Sequence, residues 1–367
     1  MRTIRAAIAM DPVEPFILGD YELEKPRADE VLVKIVASGI CHTDIAVKEQ
    51  AVTLPLPMVL GHEGSGIVEM VGDGVKHLSV GDHVVLSGDS CGSCRKCHHG
   101  LPSYCDEFVE RNLTGCRVDG TSPLSVHSEP VRGRFVGQSS FATHSVVPGR
   151  AAIRVDNRYP LELLGPLGCG LTTGVGTVMN ALRPSAGSSI AIFGAGTVGL
   201  AAVMGAVLSG CQVIIVIDPI SSRREMALSM GATHALPPND SALVDELVSL
   251  TQGGADFSVE CSGVPEAVNA AVMCLARPGW CAQVGATPAG TVHPLDMDHV
   301  GFGRGIKGVV MGDSNPQTFV PYLAALHAQG KLPYDRFAKF YDFPDINQAI
   351  ADSKSGEVIK PILRMGR

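Results

Sequence analysis

The rhythm of apolar positions changes part-way along the chain. Up to roughly residue 150 they come in short blocks or alternate with polar ones. "EVLVKIVASGI" (30–40), "GSGIVEMVG" (64–72) and "GDHVVLS" (81–87) read as brief strands, with Gly/Asp pairs marking the turns between them. "CGSCRKCHHGLPSYC" (91–105) has no periodicity, and residues 111–134 are polar with Gly and Pro, so both read as loops. Near Gly165 the pattern shifts. "IAIFGAGTVGLAAVMGAVLSGCQVIIVID" (190–218) alternates strand, helix and strand, and segments up to "GRGIKGVVMG" (303–312) continue the alternation. That pattern predicts an α/β, doubly wound parallel sheet of Rossmann type beside a β-rich region.

Length and composition narrow this picture. The 367 residues exceed one ordinary core, so two domains are expected. Pro184–Ile217 carries no charge and is long enough to span a bilayer, but its repeated glycines and two β-rich runs read as a buried strand–turn–helix–strand. With a net charge of −8, neither nucleic acid nor a membrane surface is an expected partner. Eleven cysteines without a secretory signal imply a reducing, cytoplasmic setting and thiol or metal chemistry rather than disulfides.

Two motifs carry chemistry on their own. Gly194, Gly196 and Gly199 form G-x-G-x-x-G between an apolar strand and an apolar helix, with Asp218 ending the next strand. The glycines allow a tight turn and close approach to a pyrophosphate at the helix N-terminus, beside Thr197 and Val198. Asp218 would bind the adenosine ribose and repel a 2′-phosphate, favouring NAD over NADP. Arg223, expected near the adenosine, and Arg224, expected in solvent, could soften that preference. Cys91, Cys94, Cys97 and Cys105 form C-x2-C-x2-C-x7-C, which matches a closed tetrahedral structural zinc site. Iron–sulfur clusters also take four cysteines, but their usual runs differ in spacing. His98 and His99 lie between ligands and are expected to be solvated.

Three further elements join metal-capable residues to turn glycines: "CHTD" (41–44), "GHEGSG" (61–66) and "GPLGCGLTTG" (165–174). With the two motifs above, they make the chain resemble the zinc-dependent alcohol dehydrogenases of the medium-chain dehydrogenase/reductase family over its whole length. "GLPSYCDEFVERNLTG" and "RFVGQSSFATHSVV" are similar to the aryl (benzyl) alcohol branch. The resemblance implies a GroES-like catalytic domain over 1–165 with a structural-zinc loop at 90–106. It also implies a Rossmann NAD-binding domain over 166–310 and a return of 311–367 to the catalytic domain. Cys41, His62 and Cys169 match the catalytic zinc ligands, so two Zn2+ per chain and NAD are the implied cofactors.

Further roles follow from the same resemblance. Glu63 matches a carboxylate close to the metal, and Asp44 one that orients the zinc-binding histidine. Thr43 matches the hydroxyl that takes the substrate proton. His42, where many members carry Arg, and Lys360 match pyrophosphate-binding positions. A relay histidine of many members is replaced by Ala46, which interrupts the usual proton exit. Pocket positions fall on Val52, Ser87, Phe135, Ala286 and Val310, a mostly apolar set. The implied reaction is reversible oxidation of aromatic or allylic primary alcohols (benzyl-alcohol type) to aldehydes by zinc-assisted hydride transfer. A general aliphatic or glutathione-dependent formaldehyde dehydrogenase is the nearest alternative, and a non-catalytic zinc/NAD-binding protein a remote one. The family also implies a homodimer, possibly a tetramer, through the edge strand in "GRGIKGVVMG". Trp280 and the cysteines at 211, 261, 274 and 281 are expected to be core residues.

Overall fold

The computed structural model describes residues 1–238 and 242–366. The chain divides into two compact units. One comprises Met1–Cys169, Asn315–Gly330 and Tyr334–Arg367; the other comprises Gly170–Ser314 and Lys331–Pro333.

The first unit is built on two sheets. In the larger, the strand Glu30–Gly39 lies between Glu63–Val71 and the C-terminal strand Lys360–Arg364, antiparallel to both. Its residues are buried on nearly every position, as its almost continuous apolar run requires of a central strand. Gly39 pairs with Glu63 on one side and with Ile362 on the other. This register brings Cys41, His62 and Lys360, which follow or precede those pairs by one or two residues, to the same end of the sheet. The smaller sheet contains a hairpin, Leu124–Val126 with Glu129–Val131, inside the segment expected to be loop. Strands of three residues are too short to show a period, and their pairing partner, Ile17–Leu23, lies about a hundred residues away in sequence.

A buried ionic cluster braces the far end of the central strand. Glu30, Arg117 and Arg134 are each 5% exposed or less. The Glu30 carboxylate accepts from Arg117 Nε (2.8 Å) and Nη2 (3.0 Å), from Arg134, and from the Arg27 backbone N–H (3.0 Å). His144 begins the strand His144–Pro148 and is partly buried. Burial first, and then the charge of Arg2, push its pKa down to about 4, well below the usual 6.5. The folded state therefore favours the neutral ring. That contribution is complete above about pH 6.5 and is lost as pH falls toward 4, because the unfolded chain then binds the proton more readily. Denaturation midpoints compared at pH 7.5 and 5 will show a loss in the parent protein that His144→Gln reduces.

The second unit is a six-stranded parallel sheet in the order His234–Leu236, Val213–Ile217, Ser189–Phe193, Ala255–Glu260, Leu275–Gln283, Arg304–Gly308. The uncharged run at 184–217 folds as a strand (Ser189–Phe193), a helix (Thr197–Leu208) and a strand (Val213–Ile217). Among the described residues, no helix is long and apolar enough to cross a membrane. Trp280 departs from its expected core position: it is 48% exposed, whereas the adjacent Cys281 is fully buried. Side chains alternate along the strand Leu275–Gln283, and this tryptophan falls on the open face, beside the edge strand. Cys274 is buried as expected, but Cys211 and Cys261 are only half-buried.

Candidate metal centres and dinucleotide turn

Cys41 precedes the short helix His42–Lys48, and its own backbone N–H donates to Asp44 Oδ2 at 3.0 Å. The other oxygen, Asp44 Oδ1, accepts from the Gly61 N–H (3.0 Å) and lies 2.9 Å from His62 Nδ1. Asp44 is 1% exposed, so one buried carboxylate fixes the backbone at Cys41 and the ring plane of His62. Cys169 reaches the same place through a glycine-bounded turn. A Cβ at Gly165 would fall 2.1 Å from the Glu63 carbonyl oxygen, and one at Gly168 would fall 2.0 Å from that of Leu86. Only glycines allow this turn to lie so close against the two strands.

The outcome is a cluster in which Cys41 Sγ, a His62 ring nitrogen and Cys169 Sγ lie within 4.8 Å of one another. The hydrogen bond to Cys169 Sγ, with the charges of His62 and Lys360, holds the Cys41 thiol well below its usual range against burial. Two sulfurs and an oriented imidazole fit one zinc ion, with a position left for an exogenous oxygen. Such an ion supplies Lewis acidity toward an alcohol oxygen. Thr43, half-buried, places Oγ1 3.8 Å from Cys41 Sγ, while His42 is exposed and Ala46 is buried.

Glu63 and Lys360 form a fully buried pair at this end of the sheet, with Lys360 Nζ 2.8 Å from Glu63 Oε2 and 2.9 Å from the Ile40 carbonyl oxygen. Burial pushes the Glu63 carboxyl up, against the nearby ammonium of Lys360. Sequence reasoning assigned Lys360 to phosphate binding alone; the structure gives it a second task, that of counterion to Glu63. Gln138 was missed altogether. It is buried, its Nε2 donates to the His62 carbonyl (2.9 Å), and its Oε1 accepts from the Gly64 N–H (3.0 Å). It thus clamps the backbone on both sides of Glu63, and no local pattern announces such a contact 76 residues away in sequence. Phe135 is buried with its ring edge-on to His62, centroids 5.5 Å apart. Ser87 is buried with its hydroxyl donated to the Gly168 carbonyl, and Val52 packs half-buried on the core of this unit.

The sulfurs of Cys91, Cys94, Cys97 and Cys105 also lie within 4.8 Å of one another. Backbone N–H groups of Ser93 and Cys94 point at Cys91 Sγ (3.4 and 3.3 Å), and that of Cys91 points at Cys105 Sγ (3.2 Å). The Ser93 N–H, the largest influence, helps to draw the Cys91 thiol down to about 6. His98 and His99 are exposed. Four sulfurs leave no open position, so this centre suits a structural ion. Cys94→Ser is expected to cost one zinc per chain and, by loosening the loop, to speed trypsin cleavage at exposed Arg95 and Lys96 about tenfold or more, as read by gel densitometry.

In the second unit, Gly194 takes φ +95°, and a Cβ at Gly199 would fall 1.7 Å from the Gly194 carbonyl oxygen. A Cβ at Gly196 would meet nothing within 4 Å, which leaves the turn open toward an incoming phosphate. The helix Thr197–Leu208 begins there. Asp218 Oδ2 accepts from the Ala195 N–H (2.7 Å) and Oδ1 from the Ile220 N–H (2.8 Å), so this buried carboxylate also holds the turn in shape. Arg224, expected in solvent, donates instead to the carbonyls of Asp218 (2.7 Å) and Pro219 (3.0 Å), which caps the strand end. Arg223 is half-buried, and its Nε has no hydrogen-bond partner. Ala286 follows the strand Leu275–Gln283, and Val310 follows the edge strand, 40% exposed.

Two family profiles match these two regions: "Alcohol dehydrogenase GroES-like domain" over residues 27–157 and "Zinc-binding dehydrogenase" over residues 197–328. A geraniol dehydrogenase of Castellaniella defragrans is 41% identical over 99% of this chain and 96% of its own length. The chain belongs to the zinc-dependent alcohol dehydrogenases of the medium-chain dehydrogenase/reductase family. The solved benzyl alcohol dehydrogenase of Acinetobacter calcoaceticus is 42% identical, with a TM-score of 0.96 and full coverage of both chains. An alcohol dehydrogenase zinc-binding domain protein of Burkholderia ambifaria is 45% identical, with a TM-score of 0.98 and the same coverage. As a zinc-dependent alcohol dehydrogenase, with a GroES-like and a Rossmann-like domain, the protein uses zinc and NAD to oxidise alcohols.

Proposed function

We propose that this alcohol dehydrogenase oxidises aromatic or allylic primary alcohols of the benzyl type reversibly to aldehydes, with a preference for NAD over NADP. Full-length similarity to a benzyl alcohol and a geraniol dehydrogenase carries this reading. The apolar character of Val52, Phe135, Ala286 and Val310 supports it, because such side chains favour a ring or an alkenyl chain over a hydrated polar substrate. Cys41, His62 and Cys169 hold the catalytic zinc, and Cys91, Cys94, Cys97 and Cys105 hold the structural one. Gly194, Gly196, Thr197, Val198, Gly199, Asp218 and Arg223 receive NAD, together with His42 and Lys360 at its phosphates. The decisive measurement is kcat/KM for benzyl alcohol, geraniol, ethanol and hydroxymethylglutathione, each with NAD and NADP, on zinc-quantified protein. A preference for ethanol or hydroxymethylglutathione would refute the substrate assignment, and a preference for NADP would refute the cofactor assignment.

The proton takes its own route. Thr43 would accept it from the alcohol hydroxyl, with His42 or water as the final acceptor. Ala46 offers no acceptor, whereas exposed His42 does. His42→Ala is expected to lower kcat and to change its pH profile. A profile superimposable on that of the parent would remove the histidine from the path. The edge strand Arg304–Gly308, with half-exposed Trp280 beside it, supports a two-fold homodimer through that edge in a cytoplasmic enzyme. Sedimentation of the purified protein tests the assembly.

A further inference from the structure

Glu260 ends the strand Ala255–Glu260 and is fully buried. Among the described residues it has no basic partner in an ion pair; polar N–H and O–H groups compensate it instead. Its Oε1 accepts from the Ser262 N–H (2.6 Å), the Ser262 hydroxyl (2.5 Å) and the Gly263 N–H (3.0 Å), and its Oε2 lies 3.1 Å from the same Gly263 nitrogen. A buried carboxylate so held has its donors set by one local chain path, that of residues 261–264.

That path touches the two neighbouring strand ends. The Cys261 N–H donates to the Phe193 carbonyl at 2.8 Å, and a Cβ at Gly194 would lie 3.4 Å from the Ser262 nitrogen. On the other side, the Glu260 carbonyl accepts from Val284 N–H (2.8 Å) and Gly285 N–H (2.9 Å). A Cβ at Gly285 would fall 2.2 Å from the Gly263 nitrogen and 2.6 Å from Glu260 Oε2, and one at Gly263 would fall 2.3 Å from the Ala286 carbonyl oxygen. Three chain segments therefore meet around one carboxylate.

The location is informative. The chain leaves the strand Ser189–Phe193 toward Val213–Ile217 on one side and later returns on the other side as Ala255–Glu260. Ligands of doubly wound sheets bind outside the carboxyl ends of the strands at such a reversal. Asp218 braces the glycine turn from one flank of this point, and Glu260 stands on the opposite flank. We propose that Glu260 is a positioning residue for the dinucleotide: it holds residues 261–264 against the glycine turn and against Gly285–Ala286, so that the NAD site is formed before the cofactor arrives. The proposal rests on the reading of that turn as the NAD site.

Glu260→Gln keeps one acceptor but sets an amide N–H₂ against the Gly263 N–H, so the loop must shift. Fluorescence titration of the zinc-loaded enzyme is expected to give a Kd for NADH about tenfold higher, from one or two lost charge-assisted hydrogen bonds, with KM for the alcohol within about twofold of the parent. The sign is diagnostic, since removing a buried anion near a diphosphate would by charge alone tighten binding. A Kd equal to or below that of the parent overturns the proposal, and so does an equal rise in the alcohol KM, which would indicate general loosening. Ser262→Ala, which removes one donor and is the milder change, should raise the NADH Kd about threefold; if Glu260→Gln does not fold, an unchanged Kd in Ser262→Ala overturns the proposal. A parent enzyme that binds no NADH refutes the cofactor reading itself, whereas a parent that binds beside unaffected variants refutes only the role of Glu260.

Discussion

Cys169→Ala is expected to leave a folded protein with one zinc fewer per chain and a kcat lower by on the order of 10⁴-fold, because the Lewis acid and its several kcal/mol of charge stabilisation are lost together. With alanine at 169, only Cys41 and His62 remain as donors, too few to hold a zinc ion against water or a chelator. The fold should survive, since Cys169 ends the first segment of its unit and its backbone turn is set by Gly165 and Gly168 rather than by its sulfur. Zinc analysis and benzyl alcohol turnover on the same preparation check both halves. Retention of two zincs, or of more than about a tenth of parental turnover, contradicts the assignment. Asp44→Asn offers a graded comparison. It keeps all three donors but weakens the carboxylate contact with His62 Nδ1, and a loss of about 10–100-fold in metal affinity or activity is expected.

Glu30→Ala should destabilise the first unit by about 3–5 kcal/mol, since it leaves Arg117 and Arg134 buried without their shared carboxylate. Arg117 keeps Glu24, 2.8 Å away and partly exposed, and Arg134 keeps, among the described residues, the more distant Asp89 at 4.0 Å. A fall in Tm of roughly 10 °C is the expected reading. The strand Glu30–Gly39 separates this cluster from Cys41 by roughly 30 Å of extended chain, so KM and kcat measured well below the transition should stay near the parent values. A Tm within 2 °C of the parent, roughly the shift from 0.5 kcal/mol, would show that water reaches the two guanidinium groups.

The two predictions concern opposite ends of one strand, and they were unequally visible in the sequence. Cys41, His62 and Cys169 stood out only through a resemblance: each sits in a short run that joins a metal-capable residue to turn glycines, and the three runs together match a known family. The four-cysteine loop and G-x-G-x-x-G were legible on their own, from the spacing of a few residues. The Glu30 cluster was invisible. Its partners lie 87 and 104 residues away, in a stretch read as polar loop, and a lone Glu at the start of a strand carries no mark of burial. Trp280 misled in the opposite direction, because an aromatic residue in an apolar strand gives no sign of which face is covered.

By itself the sequence determined the chemistry available to this protein: the kinds of metal donor, the backbone conformations that glycine alone can adopt, and the change from period 2 to strand–helix alternation that separates the two units. These are properties of a few consecutive residues, and covalent geometry fixes them. Only the tertiary structure decided which groups share a charge. The pairing of residues 39, 63 and 362 seats Lys360 beside Glu63, the packing of distant segments joins Glu30 to two arginines, and three strand ends meet around Glu260. Ionic and hydrogen-bonded partners are set by distance in space, and contacts across tens to hundreds of residues leave no periodic trace along the chain.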